Sequence, residues 1–427
     1  MNVIEDEKCL SEILSEPDEA ETSQIVYKSK YYETSELKNI SNTFSPDKKL
    51  SIFNSNSRSL AKHITQFQTL FRATHDVGMD FDIITFCETW LNDDLSQLAA
   101  FENYVPVFKH KKSIKEGGGL AAYLKQGLEH TVRHDLSFDN NLADKFDGLF
   151  IELTAMNLVI CILYRSPSFN SIPEMTEYLN ERIKRIKREN KDVIITGDLN
   201  VDLLKYSSHH ATTEFLDQML INNMIPKITM PTRITAKSST LIDHIYTNID
   251  NSKCIAGTLI TDISDHFSNF IVIKISHTSF PPQYVTYRLI NDQLLLNLNR
   301  QLAEYNWNEL YINSDVNMAY EHFVETFSEK VNEHLPIKCV KFNKFKHKSK
   351  PWITKGILTS LKTKEKLYIK MIKTRETDHY TRNHAKYKQY NSVYNRCIKN
   401  AKNHHWNLIF QQSKNDVKKT WNNINKL

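Results

Sequence analysis

The 427-residue chain has no run of about 18 uninterrupted apolar residues, which argues against a membrane-spanning helix. Its opening stretch, MNVIEDEKCLSEILSEPDEAETS, is acidic and lacks an apolar h-region, so a secretory signal is not expected. The six cysteines are scattered with no CxxC pair. That excludes a zinc knuckle and makes a disulfide framework unexpected, so a reducing, intracellular compartment fits better. No internal repeat and no low-complexity tract is found. Glu116-Gly117-Gly118-Gly119 lacks the spacing of a nucleotide-binding P-loop and precedes a strand, not a helix. Its glycines are expected to let a strand pass tightly at a sheet edge. The pairs His209-His210 and His404-His405 have no cysteine at zinc spacing and read as solvated.

The remaining composition is that of a globular protein, with 40% hydrophobic and 25% charged residues and enough length for a large core plus an appendage. The net charge of +5 conceals an asymmetry. Residues 341–427 hold 22 Lys+Arg against 4 Asp+Glu, a balance of +18, and residues 1–340 hold 33 against 46, a balance of −13. A basic module follows an acidic one, either as a solvated helical face or as an arm for a polyanion such as DNA or RNA.

Four segments follow. Residues 1–49 are polar and expected to be disordered or loosely attached. From 50 to 275, short apolar strands (LSIFNS, FDIITF, GGLAAYL, GLFIEL, NLVICILY, VIITGDLN, LIDHIYTN, FIVIKI) alternate with helical patterns. In one of these, Met175, Leu179, Ile183 and Ile186 recur at helical spacing, and in another Phe215, Leu216, Met219 and Leu220 do the same. Pro281-Pro282 marks a boundary. Residues 276–350 read as a helical connector and 351–427 as a basic helical region, in which Tyr387, Tyr390, Tyr394, Ile398 and Ala401 form a packing stripe.

Polar groups recur at strand ends: Asn56, Glu88, Tyr164 with Arg165, Asp198 with Asn200, Asp243, and Asp265 with His266. A single strand-end Asp or Asn usually caps a helix or turn. Six instances in one domain point to a shared site. Cleaving a phosphodiester needs a water nucleophile, charge neutralisation on the phosphoryl oxygens and help for the leaving group. Glu88 is a candidate ligand for a hard cation. Asp198 can orient or deprotonate a water, and Asn200, two residues on, can aim an amide N–H at the same phosphorus. His266 can donate to a phosphoryl oxygen if a carboxylate such as Asp243 holds its ring.

The series FNSNSRSL, CETW, LYRSP, GDLN, LIDH and SDH, with EGGGLAAYLK, FLDQML, MPTRIT and STLIDHIYTN, resembles the endonuclease/exonuclease/phosphatase superfamily over about residues 50–275. More narrowly, it resembles the apurinic-endonuclease-like domain of non-LTR retrotransposons of the jockey and CR1 kind. The segment from Lys350-Pro351-Trp352 to WNNINKL resembles the linker before their reverse transcriptase. No Tyr/Phe-x-Asp-Asp pair is present, so nicking without copying is expected.

The resemblance implies an α+β four-layer sandwich: two packed β-sheets flanked by helices, DNase I-like, followed by the basic helical region. It implies Mg²⁺, with Mn²⁺ as the alternative, held by Glu88 with Asn56 beside it and Asp265 assisting. Asp198, Asn200, Asp243, His266 and Tyr164 are implied as catalytic residues. Whether Asp198 or His266 takes the proton stays open, with Asp198 favoured, and Asn54 competes with Asn56. Arg165, Lys350 and Trp352 are candidate nucleic-acid contacts, although tryptophans at helical positions more often pack. The expected partners are target DNA, and RNA through the basic region, in a nuclear setting with no membrane. A phosphatase or phosphodiesterase on another substrate, or a silent nucleic-acid-binding relic, are the alternatives.

Overall fold

The computed structural model describes residues 10, 27–45, 48–110, 118–138, 145–169, 171–275, 284–312, 314–341, 350–414 and 416–424. The Pro281-Pro282 boundary, and residues 1–23 apart from Leu10, lie outside them. The chain divides into two compact units, Met1–Ser279 with Ser349–Leu427, and Phe280–Lys348.

In chain order the first unit runs β1 (Tyr31–Tyr32), α1 (Leu37–Ser41), β2 (Lys49–Asn56), α2 (Leu60–Asp76), β3 (Ile83–Cys87), α3 (Asp93–Ser96), β4 (Tyr104–Lys109), β5 (Leu120–Lys125), β6 (Thr131–Val132), β7 (Phe146–Leu153), β8 (Leu158–Arg165), α4 (Ile172–Arg188), β9 (Asp192–Asp198), α5 (His210–Ile221), β10 (Ile225–Pro226), β11 (Arg233–Ile234), β12 (Ser239–Thr240), β13 (Asp243–Thr247), β14 (Cys254–Leu259) and β15 (Ser268–Lys274). One sheet has the order β1-β14-β15-β2-β3-β5-β4 and the other β10-β13-β9-β8-β7-β6. Both are mixed: β2–β3 and β8–β9 pair parallel, and their other neighbours are antiparallel apart from β1–β14. The sheets pack face to face through β2, β3 and β15 on one side and β8, β9 and β13 on the other. These central strands are buried on both faces, which explains their continuous apolar runs.

Helices cover the outer faces, giving the four-layer sandwich. α2 lays Leu60, Ile64, Phe67 and Leu70 on Phe53, Ile84 and Phe86. α4 buries the expected stripe of Met175, Leu179, Ile183 and Ile186, and starts where the Ser171 hydroxyl accepts from the Glu174 N–H with Pro173 in the first turn.

The N-terminal segment differs from the expectation of loose attachment. Over residues 27–45 it is part of the fold: β1 pairs with β14, with Tyr31 opposite Thr258. The pairing depends on Gly257, where an added Cβ would collide with the Tyr32 ring.

The second unit holds the expected helices, α6 (Asp292–Glu304), α7 (Asn308–Ile312) and α8 (Val316–His334), and also two strands. β16 (Tyr284–Arg288) pairs antiparallel with β17 (Ile337–Lys341) and closes the helical segment at its base. Arg288 donates to the carbonyl of Leu335 at 3.0 Å.

The basic region forms α9 (Lys355–Lys373), α10 (Tyr380–Gln412) and α11 (Val417–Ile424). It belongs to the first unit. Trp352, Ile353, Ile357, Leu361, Tyr394 and Ile398 pack together against Ala73 of α2. Among the described residues no helix is long and apolar enough to cross a membrane.

Candidate active site

Antiparallel and parallel pairing together bring six strand ends to one edge. Asp198 ends β9, with Tyr164 of β8 as its register partner on one side and Asp243 of β13 on the other. Gly197 makes this row possible. Its φ of 144° is a conformation open to glycine, and a Cβ there would overlap the Leu163 carbonyl. From the facing sheet come Asn56 at the end of β2, Glu88 directly after β3, and His266 two residues before β15.

Side chains then tie the two sheets together. Asn56 donates from Nδ2 to Glu88 Oε1 at 2.9 Å and to Asp198 Oδ2 at 2.8 Å. His266 Nδ1 lies 2.8 Å from Asp243 Oδ2, which also accepts from the Thr232 hydroxyl at 2.7 Å. Ligand atoms of Asp198, Asp243 and His266 all fall within 4.8 Å of one another. Asn54, the competitor of Asn56, is buried one pleat earlier, where its Oδ1 accepts from Thr85.

Burial, and next the Asp243 carboxylate, push the Asp198 carboxyl well above the ordinary range, while His266 and the Asn56 amide pull the other way. For His266 burial opposes the charge, but Asp243 outweighs it and holds the imidazole up to about 9. Burial, then the Glu88 charge, keep the Tyr164 phenol neutral at any physiological pH. Glu88 itself sits in a left-handed turn. Among the described residues the only non-asparagine, non-glycine positions at positive φ are Arg58, Ser59, Glu88 and Trp90, all on the two loops that carry Asn56 and Glu88. Gly118 and Gly119 brace that turn, their carbonyls accepting from the Trp90 and Thr89 N–H groups.

The remaining expected residues are placed as follows. Asp265 Oδ2 is held by Arg58 Nη1 at 2.8 Å and Arg233 Nε at 2.9 Å; burial would raise its pKa, but the guanidiniums and His266 hold it below the usual range. Asn200 donates from Nδ2 to the Arg165 carbonyl at 2.7 Å, and its backbone N–H bonds Asp198 Oδ1 at 3.0 Å. Arg165 is buried; it donates to the carbonyls of Leu199 at 2.6 Å, Asn200 at 2.5 Å and Phe169, bracing the loop after β9. Trp352 is buried against Ala73, 13 residues along α2 from its start beside the site, which at 1.5 Å per residue is roughly 20 Å away. Lys350 is partly buried, and burial lowers its pKa. The structure therefore gathers Asn56, Glu88, Tyr164, Asp198, Asn200, Asp243 and His266, with Asp265 at the rim, and does not bring Lys350 and Trp352 to that edge.

Sequence reasoning missed Arg58, Arg233 and Thr232. Only the basic residue in each of FNSNSRSL and MPTRIT hinted at them: Arg58 lies in the loop after β2, and Arg233 opens the two-residue strand β11, which no apolar run marks.

A cation fits the donor set. The cluster offers carboxylate and amide oxygens, and Asp243 Oδ1 is buried without a hydrogen-bond partner among the described residues. Glu88, Asp198 and Asp243 crowd one another, and the neighbouring carboxylates add to burial in raising the Asp198 carboxyl. His266 has Nδ1 committed to Asp243, and Glu88 offers a partly buried carboxylate beside Asn56.

No curated protein matches the sequence significantly. Among solved structures the chain is similar to AP endonuclease LMAP from Leishmania major, at 14% identity over 64% of this chain and 97% of that one, TM-score 0.45. It is also similar to an AP endonuclease from Archaeoglobus fulgidus, at 14% identity over 53% and 100%, TM-score 0.41. A third is the endonuclease domain of TRAS1, a telomere-specific non-LTR retrotransposon, at 14% identity over 53% and 99%, TM-score 0.38. A family model described as Endonuclease/Exonuclease/phosphatase family matches residues 41–266. That span is more than half of the chain and runs from before β2 to His266 itself, so the chain belongs to the Endonuclease/Exonuclease/phosphatase family.

Proposed function

We propose that the protein is a Mg²⁺-dependent phosphodiester hydrolase that nicks DNA and leaves a 3′-hydroxyl, an end that in a retroelement would prime target-primed reverse transcription. The observation that carries the reading is the pair of bridges between the sheets, Asn56 to Asp198 and His266 to Asp243. They hold a basic carboxylate and a charged imidazolium side by side at one edge.

Asp198 takes the proton from the attacking water; it is already oriented by Asn56 and by the Asn200 N–H. Asn200 gives one amide hydrogen to the Arg165 carbonyl and keeps the other for a phosphoryl oxygen. His266 has Nδ1 committed to Asp243 and presents its other N–H to the scissile phosphate. Tyr164 stays neutral and donates from beside Glu88. Glu88 and Asn56 would hold Mg²⁺, or Mn²⁺, which supplies charge neutralisation on the phosphoryl oxygens and the leaving group. Asp265 arranges Arg58 and Arg233, whose side chains are 46% and 39% exposed, as cations for the DNA backbone at the rim.

Supercoiled plasmid incubated with and without Mg²⁺ tests the reading. The expected result is metal-dependent nicking with mapped 3′-hydroxyl ends. Asp198→Ala and His266→Ala should each lower the rate by about 100-fold or more with the circular dichroism spectrum unchanged. Hydrolysis of small phosphoesters with plasmid left intact would overturn the substrate assignment, and unchanged rates in both variants would overturn the site.

A further inference from the structure

We propose that the C-terminal helices are a built-in part of this site, and that Lys364 and Tyr387 are positioning residues that hold the loop bearing Asp265 and His266. The catalytic consequence rests on the functional reading above; the anchoring of the loop does not.

The loop is residues 260–267, between β14 and β15. One side is fixed by the sandwich: the Ser264 hydroxyl donates to the Asn56 carbonyl at 2.7 Å, and Thr261 shares a hydroxyl contact with Ser268, which donates to Ser55. The other side is fixed by the basic region. Asp262 Oδ1 lies 2.7 Å from Lys364 Nζ, with side chains only 5% and 3% exposed. Its Oδ2 accepts from the Tyr387 hydroxyl at 2.7 Å. Phe267, next to His266, meets Tyr368 of α9 edge-on at 6.3 Å and shares a cluster with Ile369, Met371 and Ile372. Arg375 reaches Ser239 of β12 at 2.5 Å, and β12 pairs with β11, whose Arg233 holds Asp265.

Apolar packing around Trp352 and Tyr394 docks these helices, and Lys364 lies over the Tyr394 ring with its Nζ 4.9 Å from the ring centroid. A buried lysine–carboxylate pair adds little to docking, because desolvation offsets most of its attraction, but it fixes a register. Here the register fixed is that of Asp262, three residues from Asp265 and four from His266. Chain ordering at a catalytic edge acts on the rate through geometry, since misplacement of about 1 Å can cost about a hundredfold.

The test uses the full chain with Tyr387→Phe, which removes one hydroxyl, and Lys364→Met. Ile186→Val, buried on α4 against the other sheet, serves as the packing control. Two readouts are taken: hydrogen exchange of the amides of residues 260–267, and kcat with KM for plasmid nicking. The expected result is at least tenfold faster exchange confined to that loop, and kcat at least tenfold lower with KM unchanged within twofold. The control changes neither. Unchanged loop exchange in both variants overturns the proposal, as does faster exchange with kcat intact. If the wild-type protein cleaves no DNA, the functional reading fails on its own, and loop exchange alone decides the anchoring.

Discussion

Glu365 on α9 is a carboxyl group only 9% exposed, and it accepts from the Thr34 hydroxyl at 2.7 Å. Burial, with Asp262 adding to it, pushes its pKa from 4.5 up to about 7, against the pull of Thr34 and Lys364. The sign follows from which state holds the proton more tightly. Below pH 4.5 both the folded and unfolded chains carry it, and the group costs nothing. Between 4.5 and about 7 the unfolded chain releases its proton first, and above about 7 the folded carboxylate bears the full penalty. That gap corresponds to about 3 kcal/mol. Glu365→Gln keeps an oxygen for Thr34 and cannot ionise, so it should exceed the wild type by under about 1 kcal/mol at pH 5 and by about 3 kcal/mol at pH 8.5, or roughly 4 °C in Tm. Thermal melts of both proteins across this range provide the assay; all other titrations are common to both and cancel in the difference. A gap of equal size at both pH values, or a larger one at pH 5, would refute the burial argument.

Two further outcomes follow from the same packing. Lys355, Lys362, Lys366 and Lys370 are exposed on one face of α9; replacing all four with glutamine should weaken DNA binding and reduce the slope of log K against log salt by up to about 3.6, at about 0.9 for each phosphate no longer neutralised, with an unchanged slope counting against a DNA-facing role. Gly197→Ala should destabilise the fold by about 3 kcal/mol or more, because a Cβ there strikes the β8 backbone and φ is unfavourable; a normal melt would refute this.

The strands that form the site were legible because burial on both faces writes them as unbroken apolar runs, and because a polar residue ends each run at the shared edge. The β9 stretch from Val193 to Asp198 is the clearest case, and the Met175–Ile186 period of α4 is the helical counterpart. β4 was not legible, since Pro106 interrupts it; it survives as an edge strand, where a missing N–H is tolerated. β14 carries Gly257, which weakens any strand pattern until Tyr32 is seen against it. Arg165 reads as a ligand contact because it ends a strand, but the loop after β9 turns its carbonyls inward and they need donors. The Asp262–Lys364–Tyr387 contact spans more than 100 residues of chain, and no local periodicity marks either end of it.

The division of labour between the sheets explains why the site needs all of its length. Tyr164, Asp198 and Asp243 lie in one row, on neighbouring strands spaced about 4.8 Å apart, so the row alone spans about 10 Å. Asn56, Glu88 and His266 come from the facing sheet, and each bridge between sheets joins one member of either set. A one-residue slip of β9 would place Gly197 opposite Asp243 and turn Asp198 to the other face, away from Asn56. The residues that fix this arrangement are therefore as necessary to the geometry of the edge as the charged ones: Gly197 by allowing close approach to β8, Arg165 by bracing the loop beyond β9, and Thr232 by holding Asp243 against its own repulsion from Asp198.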